Sequence, residues 1–147
     1  MTLFIAADHR GFELKNLLME YLQEKNIRIE DMGNYEYEAE DDYPDFSKKV
    51  AQAVLQNPEN FLGIVICGSG VGVCIVTNRF NGIRCGLGFE ESQVKHMREN
   101  DHVNVLALAS EYINLEKAKL LIDAFLAGKP RAEEKYLRRI KKLDNIS

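Results

Sequence analysis

Apolar residues recur along the chain in two rhythms. Short runs that are apolar at almost every position, residues 2–7, 62–66 and 103–109, suit strands buried on both faces. Between them the spacing changes to that of a helix. Phe12, Leu14, Leu17, Leu18, Tyr21 and Leu22 fall on one side, with Glu13, Lys15, Glu20 and Glu24 on the other. Residues 27–32 alternate as a second strand, and the polar, acidic stretch 33–42 reads as a loop. Tyr43-Pro44-Asp45 opens a helix that turns Phe46, Val50, Ala53, Val54 and Leu55 inward, with Pro58 beyond its end. The pattern continues with a helix over 70–79, a strand over 83–88 after Asn81-Gly82, and a helix over 90–99. After the strand 103–109, a helix carries Leu115, Ala118, Leu121, Ile122 and Phe125 on one side, ended by Gly128 and Pro130. A charged helix over 132–144 has Tyr136, Leu137, Ile140 and Leu143 as its apolar stripe, for packing on the domain or reaching a partner.

Strands alternating with helices predict an α/β fold whose parallel sheet is covered on both faces. A chain of 147 residues without linkers or repeats is expected to form one domain spanning 1–147. In such sheets ligands bind beyond the carboxyl ends of the strands. That rule gathers Asp8 and His9 after strand one, Tyr43 after the acidic loop, and Cys67 after strand three.

The stretch Cys67-Gly68-Ser69-Gly70-Val71-Gly72 joins strand three to its helix. Successive backbone N–H groups in such a turn face one concavity, and the helix adds its positive end, so an anion or a developing negative charge is favoured there. Cys67 is a candidate thiolate beside that cradle. Two readings stand: a base or nucleophile next to an oxyanion site, or a small buried cysteine in a tight turn. Gly72 is followed by Val73 rather than by lysine, which excludes a nucleotide P-loop, and the alternating glycines do not fit the dinucleotide fingerprint. Asp8 has the competing reading of a helix cap.

Composition narrows the field. A net charge of −4 argues against broad nucleic-acid binding. No apolar run approaches the roughly 20 residues of a membrane span and no leader is evident, so a cytoplasmic protein is expected. Cys67, Cys74 and Cys85 lack paired spacing, which points to neither disulfides nor a metal site, and the latter two read as packing residues.

Several separate motifs, in order, resemble the type B ribose-5-phosphate isomerase family, which includes galactose-6-phosphate isomerase subunits. They are Asp8-His9-Arg10-Gly11-Phe12, Asp42-Tyr43-Pro44, the run 67–72, Asn78-Arg79 with Gly82-Ile83-Arg84, and Asn104-Val105-Leu106. The resemblance implies a three-layer α/β/α sandwich with a five-stranded, Rossmann-like parallel sheet. It also implies a homodimer or homotetramer with active sites between subunits, and no metal or organic cofactor. The implied reaction is aldose–ketose isomerisation through an enediolate, by default ribose 5-phosphate to ribulose 5-phosphate. In that scheme Cys67 is the base, since Val73, at the place of another branch's glutamate, cannot abstract a proton. Ser69 and the backbone of Gly68, Gly70, Val71 and Gly72 hold the enediolate. Asp8 binds sugar hydroxyls, His9 and Arg10 the far end of the substrate, and Tyr43 lines the site.

The chain also departs from the family. Asn100-Asp101 stands where His-Asn is usual, so the ring-opening histidine is replaced, and His102 two residues away has two readings, a substitute for it or an ordinary residue starting strand five. Glu111 replaces a common arginine, and Lys135-Tyr136 replaces an Arg-His pair, while Arg139 keeps its match. Three readings of the phosphate end remain open at this stage. Phosphate is held by His9, Arg10, Lys135 and Arg139 with Glu111 turned away; or the substrate is another sugar, unphosphorylated or linear; or the fold serves as a sugar-binding module.

Overall fold

Every strand of this protein points the same way. The computed structural model describes residues 1–146. Its elements in chain order are β1 (Thr2–Ala7), α1 (Phe12–Glu24), β2 (Ile29–Asp31), α2 (Tyr43–Val54), β3 (Phe61–Cys67), α3 (Val71–Thr77), β4 (Cys85–Leu87), α4 (Glu91–Asn100), β5 (Val105–Ala109), α5 (Leu115–Ala127) and α6 (Glu134–Asp144). The parallel sheet has the order β2-β1-β3-β5-β4. This is the expected α/β/α architecture, and β5 is inserted between β3 and β4.

Side chains of successive strand residues take opposite faces. Leu3, Ile5, Ala7, Leu62, Ile64, Ile66, Leu106 and Leu108 pack under α1, α4 and α5. Phe4, Ala6, Val65, Cys67, Val105 and Ala107 pack under α2 and α3. The chain leaves β1 toward one face and β3 toward the other, so the carboxyl ends of these neighbours flank a crevice. Ala7 pairs with Ile66, and Cys67 with Ala109, which brings three strand ends into line.

Two outer strands are shorter than the sequence pattern suggests. β4 begins at Cys85 rather than 83, and the N–H and guanidinium of Arg84 before it are bonded to the Asn104 side chain and the His102 carbonyl, leaving only its carbonyl to the start of β5. β2 holds only three residues. Conversely, β3 runs through Cys67, which is therefore its last residue. No helix of the described residues is long and apolar enough to cross a membrane.

Helix α1 corrects the expected amphipathic pattern. Leu17 is exposed at its surface, whereas Lys15, expected on the outer face, is completely buried. Its ammonium meets both oxygens of Asp31 at 2.7 and 2.8 Å and the Asn34 carbonyl at 2.6 Å. The aliphatic stem lies within the helix's buried face and the charge crosses to the end of β2. Removing one partner of a buried ion pair leaves the other uncompensated, so Lys15→Ala is expected to lower unfolding free energy by about 3 kcal/mol. Urea denaturation at neutral pH measures this, and a loss below about 1 kcal/mol would contradict the assignment.

Candidate active site

The ends of β1, β3 and β5 are stitched together before any ligand is considered. Ser110 donates its N–H to the Cys67 carbonyl at 2.9 Å, and its hydroxyl bonds the Arg10 carbonyl at 2.8 Å. Glu111 N–H donates to the Gly68 carbonyl at 3.1 Å. Sequence reasoning missed Ser110, because a lone serine after a strand carries no distinguishing signal.

The turn that follows demands glycine at position 70. Its φ of 73° is left-handed, and a Cβ there would lie 2.5 Å from Leu87 Cδ1. Gly72 faces Tyr43, whose ring would stand 2.7 Å from an added Cβ. The N–H of Val71 donates to Ser69 Oγ at 3.2 Å, which leaves the hydroxyl proton free to be donated outward. First-turn N–H groups have no partner within the helix.

Asp8, His9, Arg10, Asp41, Tyr43, Cys67, Gly68, Ser69, Val71, Gly72, Glu111 and Tyr112 are among the residues lining one cavity of about 610 Å³. The expected acid, imidazole, thiol and glycine turn thus meet at the crevice. Ser69, Val71 and Tyr112 also border a second hollow of about 600 Å³, lined by Leu87, Phe89 and Lys117. Cys67 is buried. Cys74, whose hydrogen bond with Cys85 lowers its thiol to about 7, lines neither hollow and packs between α3 and β4 as expected.

Asp8 lines the crevice but is not the cap of α1, whose N-cap is Gly11. One carboxylate oxygen accepts the N–H groups of Arg10 and Gly11 at 3.0 and 3.1 Å, shaping the entry to α1. Burial, helped by the charge of Asp41, raises it above its ordinary value against the opposing N–H bonds and His9. Asp41 was read only as part of a polar loop. Its carboxylate bonds the His9 ring Nδ1 at 2.7 Å and the His9 N–H at 2.9 Å. Burial raises Asp41 too, but the bonds from His9 and Asn34 outweigh it and hold the group below its ordinary value.

Glu111 is not turned away. It faces the cavity and pairs with the Arg10 guanidinium at 2.7 Å, both side chains about half exposed. No sequence pattern joins positions 10 and 111; the sheet does.

Five expected site residues lie elsewhere. Parallel strands put whatever precedes β5 at the opposite edge of the sheet from Ala109, roughly 16 Å away at about 3.3 Å per residue. Asn100 ends α4 there, bonded to His96 at 3.0 Å. Asp101 lines a hollow with Arg84 and Asp144. His102 turns the chain with a left-handed φ of 51°, its ring 2.9 Å from the Arg131 carbonyl. Within one chain it therefore does not replace the ring-opening histidine at the Cys67 cavity. Helix α6 is anchored at that same edge by Arg131 and by an Asp144–Arg84 pair at 2.8 Å. Between those anchors Lys135 and Arg139 gather on the Tyr136 ring, their charges 5.1 and 5.9 Å from its centroid.

The geometry can be set beside known proteins. The family model described as Ribose/Galactose Isomerase matches residues 3–143. The chain belongs to this ribose/galactose isomerase family. Among its relatives, a probable ribose-5-phosphate isomerase B of Mycoplasma genitalium is 39% identical over 125 residues, 85% of this chain and 82% of the relative. The ribose-5-phosphate isomerase B of Escherichia coli is 38% identical over 82% of this chain and 80% of its own. The crystal structure of the M. genitalium isomerase with bound ribulose-5-phosphate superposes with a TM-score of 0.93 at 37% identity, covering 97% of this chain and 93% of that one. A ribose 5-phosphate isomerase of Thermotoga maritima gives 0.92 at 39% identity, covering 99% and 98%.

In this member of the family the raised Asp8 makes a prediction about stability. Its folded value lies above the unfolded one, so the stability carried by the neutral carboxyl is full below the ordinary carboxylate range and is lost as pH rises through the folded value. Asp8→Asn keeps an acceptor for both N–H groups without the buried charge. It should melt above the parent at neutral pH, with the gap closing in acid. Thermal melts across that range check this; a variant less stable at neutral pH would contradict it.

Proposed function

We propose that this chain is a cytoplasmic aldose–ketose isomerase that interconverts ribose 5-phosphate and ribulose 5-phosphate. The observation that carries the reading is the Cys67 thiol at the end of β3, in one cavity with Ser69, the opening turn of α3 and Asp8. The ribulose-5-phosphate-bound M. genitalium relative supports the substrate class.

Aldose–ketose exchange moves one proton between C1 and C2 through an enediolate. Cys67 takes that proton from one carbon and returns it to the other. The negative oxygen is met by the Ser69 hydroxyl, itself held by the Val71 N–H, and by the N–H groups of Gly70 and Gly72 on either side. Asp8, buried and raised, orients sugar hydroxyls and accepts or returns their protons. Tyr43 walls the sugar against Gly72.

The phosphate needs more cations than one chain puts in the cavity. Asp8, Asp41 and Glu111 face it alongside His9 and Arg10, and Glu111 already engages Arg10. The exposed cations of α6, Lys135 and Arg139 beside Arg138, Lys141 and Lys142, sit at the wrong edge of their own sheet. A second copy can bring them to the mouth, together with Asn100, Asp101 and His102. The reading is therefore a homodimer, or a homotetramer built as a dimer of dimers, with each site shared between two chains.

Cys67→Ala should fold normally and lose at least about 100-fold in turnover, the scale of one proton-transfer group. Retained activity would remove Cys67 from its role. Shared sites add a sharper expectation. If Arg139→Ala is also impaired, co-refolding it with Cys67→Ala in equal amounts should recover about a quarter of parental activity, because half the dimers are mixed and each holds one intact site. Activity of the mixture no higher than the average of the two variants would contradict sharing.

A further inference from the structure

The acidic loop between β2 and α2 sends one side chain, Asp41, into the cavity, where it is only 5% exposed. Its Oδ1 takes both the backbone N–H and the ring Nδ1 of His9. Its Oδ2 accepts from the Asn34 amide at 3.1 Å. The Asn34 carbonyl in turn accepts from the buried Lys15 ammonium, which also clamps Asp31, and Asp31 accepts the Gly33 N–H at 2.8 Å. A continuous run of hydrogen bonds thus leads from a lysine sealed under α1 to the imidazole at the crevice.

A ring nitrogen 2.7 Å from a carboxylate oxygen carries the hydrogen of that bond. This settles the tautomer and leaves Nε2 as the nitrogen available to a ligand. We infer that Asp41 is a positioning residue of the isomerisation, fixing the His9 ring so that Nε2 is presented to the anionic end of the substrate. The role rests on the isomerase reading. When an anionic oxygen draws a proton onto Nε2, the carboxylate on Nδ1 stabilises the imidazolium that forms, as the buried aspartate does in a Ser-His-Asp triad. The other titratable or charged groups lining this cavity are Asp8, Arg10, Tyr43, Cys67, Glu111 and Tyr112; of the carboxylates, Asp41 is the one bonded to the ring. Arg10, next in sequence, is held the same way by Glu111, so two adjacent donor side chains are each braced by a carboxylate from a distant part of the chain.

Asp41→Asn tests the role: with Asn34 still donating to the amide oxygen, the amide nitrogen takes the place of the oxygen shared by both His9 groups, gives up the His9 N–H bond and turns a donor toward Nδ1. Two readouts are needed: nitrogen-15 correlation spectra of the imidazole rings in the free protein, and KM and kcat for ribose 5-phosphate. In the parent His9 should show the Nδ1–H pattern. In Asp41→Asn it should move to Nε2–H or a mixture, with KM rising about tenfold or more, the loss expected of one ionic hydrogen bond, and kcat changing far less. Asn34→Ala, which removes the support of Oδ2, should shift both readouts in the same direction by less. Unchanged spectra, or changed spectra with unchanged KM, would overturn the role, since the ring would then be held for the fold alone. A parent protein without turnover would defeat the isomerase reading instead, while its ring spectrum would still report whether Asp41 holds His9.

Discussion

The common direction of the five strands is the constraint on which this site depends. Hydrogen bonding between β1, β3 and β5 in parallel register places Ala7, Cys67 and Ala109 at one edge. Whatever residue the chain carries next must enter the same crevice. Asp8, the glycine turn and Glu111 are far apart in sequence and become neighbours for this reason alone. The same direction sends the residues that precede strands to the other edge. Asn100, Asp101 and His102 lie there with α6, so one chain holds the two halves of the expected site on opposite sides of its sheet.

The crevice is unusually acidic for a pocket proposed to take a sugar phosphate. Each carboxylate nevertheless has a defined partner. Asp8 accepts two backbone N–H groups, Asp41 holds His9, and Glu111 holds Arg10. These contacts fix cations and donors in place before the substrate arrives, which reduces the ordering cost of binding. In the proposed shared site, the phosphate charge is balanced by the basic helix of a second copy. The arginine-to-glutamate change at position 111 thus reads as part of a braced Arg10, not as a lost pocket.

Much of this was legible in the sequence. The buried runs gave the central strands because residues apolar on both faces have few alternatives, and Cys67 with Gly68 to Gly72 declared a turn whose chemistry could be argued from backbone geometry. Lys15 was not legible. A lysine at a helical position normally points to water, and its burial here is tolerable because Asp31 and the Asn34 carbonyl meet it across the fold. Asp41 lay hidden in a run of acidic residues, where nothing local separates the one that turns inward from those that stay solvated. The places of Asn100 and His102 were also beyond reading along the chain, since which edge a residue occupies depends on whether it precedes or follows a strand.

Proton exchange tests the central claim most directly. The protein is incubated in deuterated water with ribose 5-phosphate, and the sugar is followed by NMR. Ribulose 5-phosphate should appear with deuterium at C1, and recovered ribose 5-phosphate with deuterium at C2, both abolished in Cys67→Ala. Absence of both ketose and exchange would contradict an enediolate formed at this crevice.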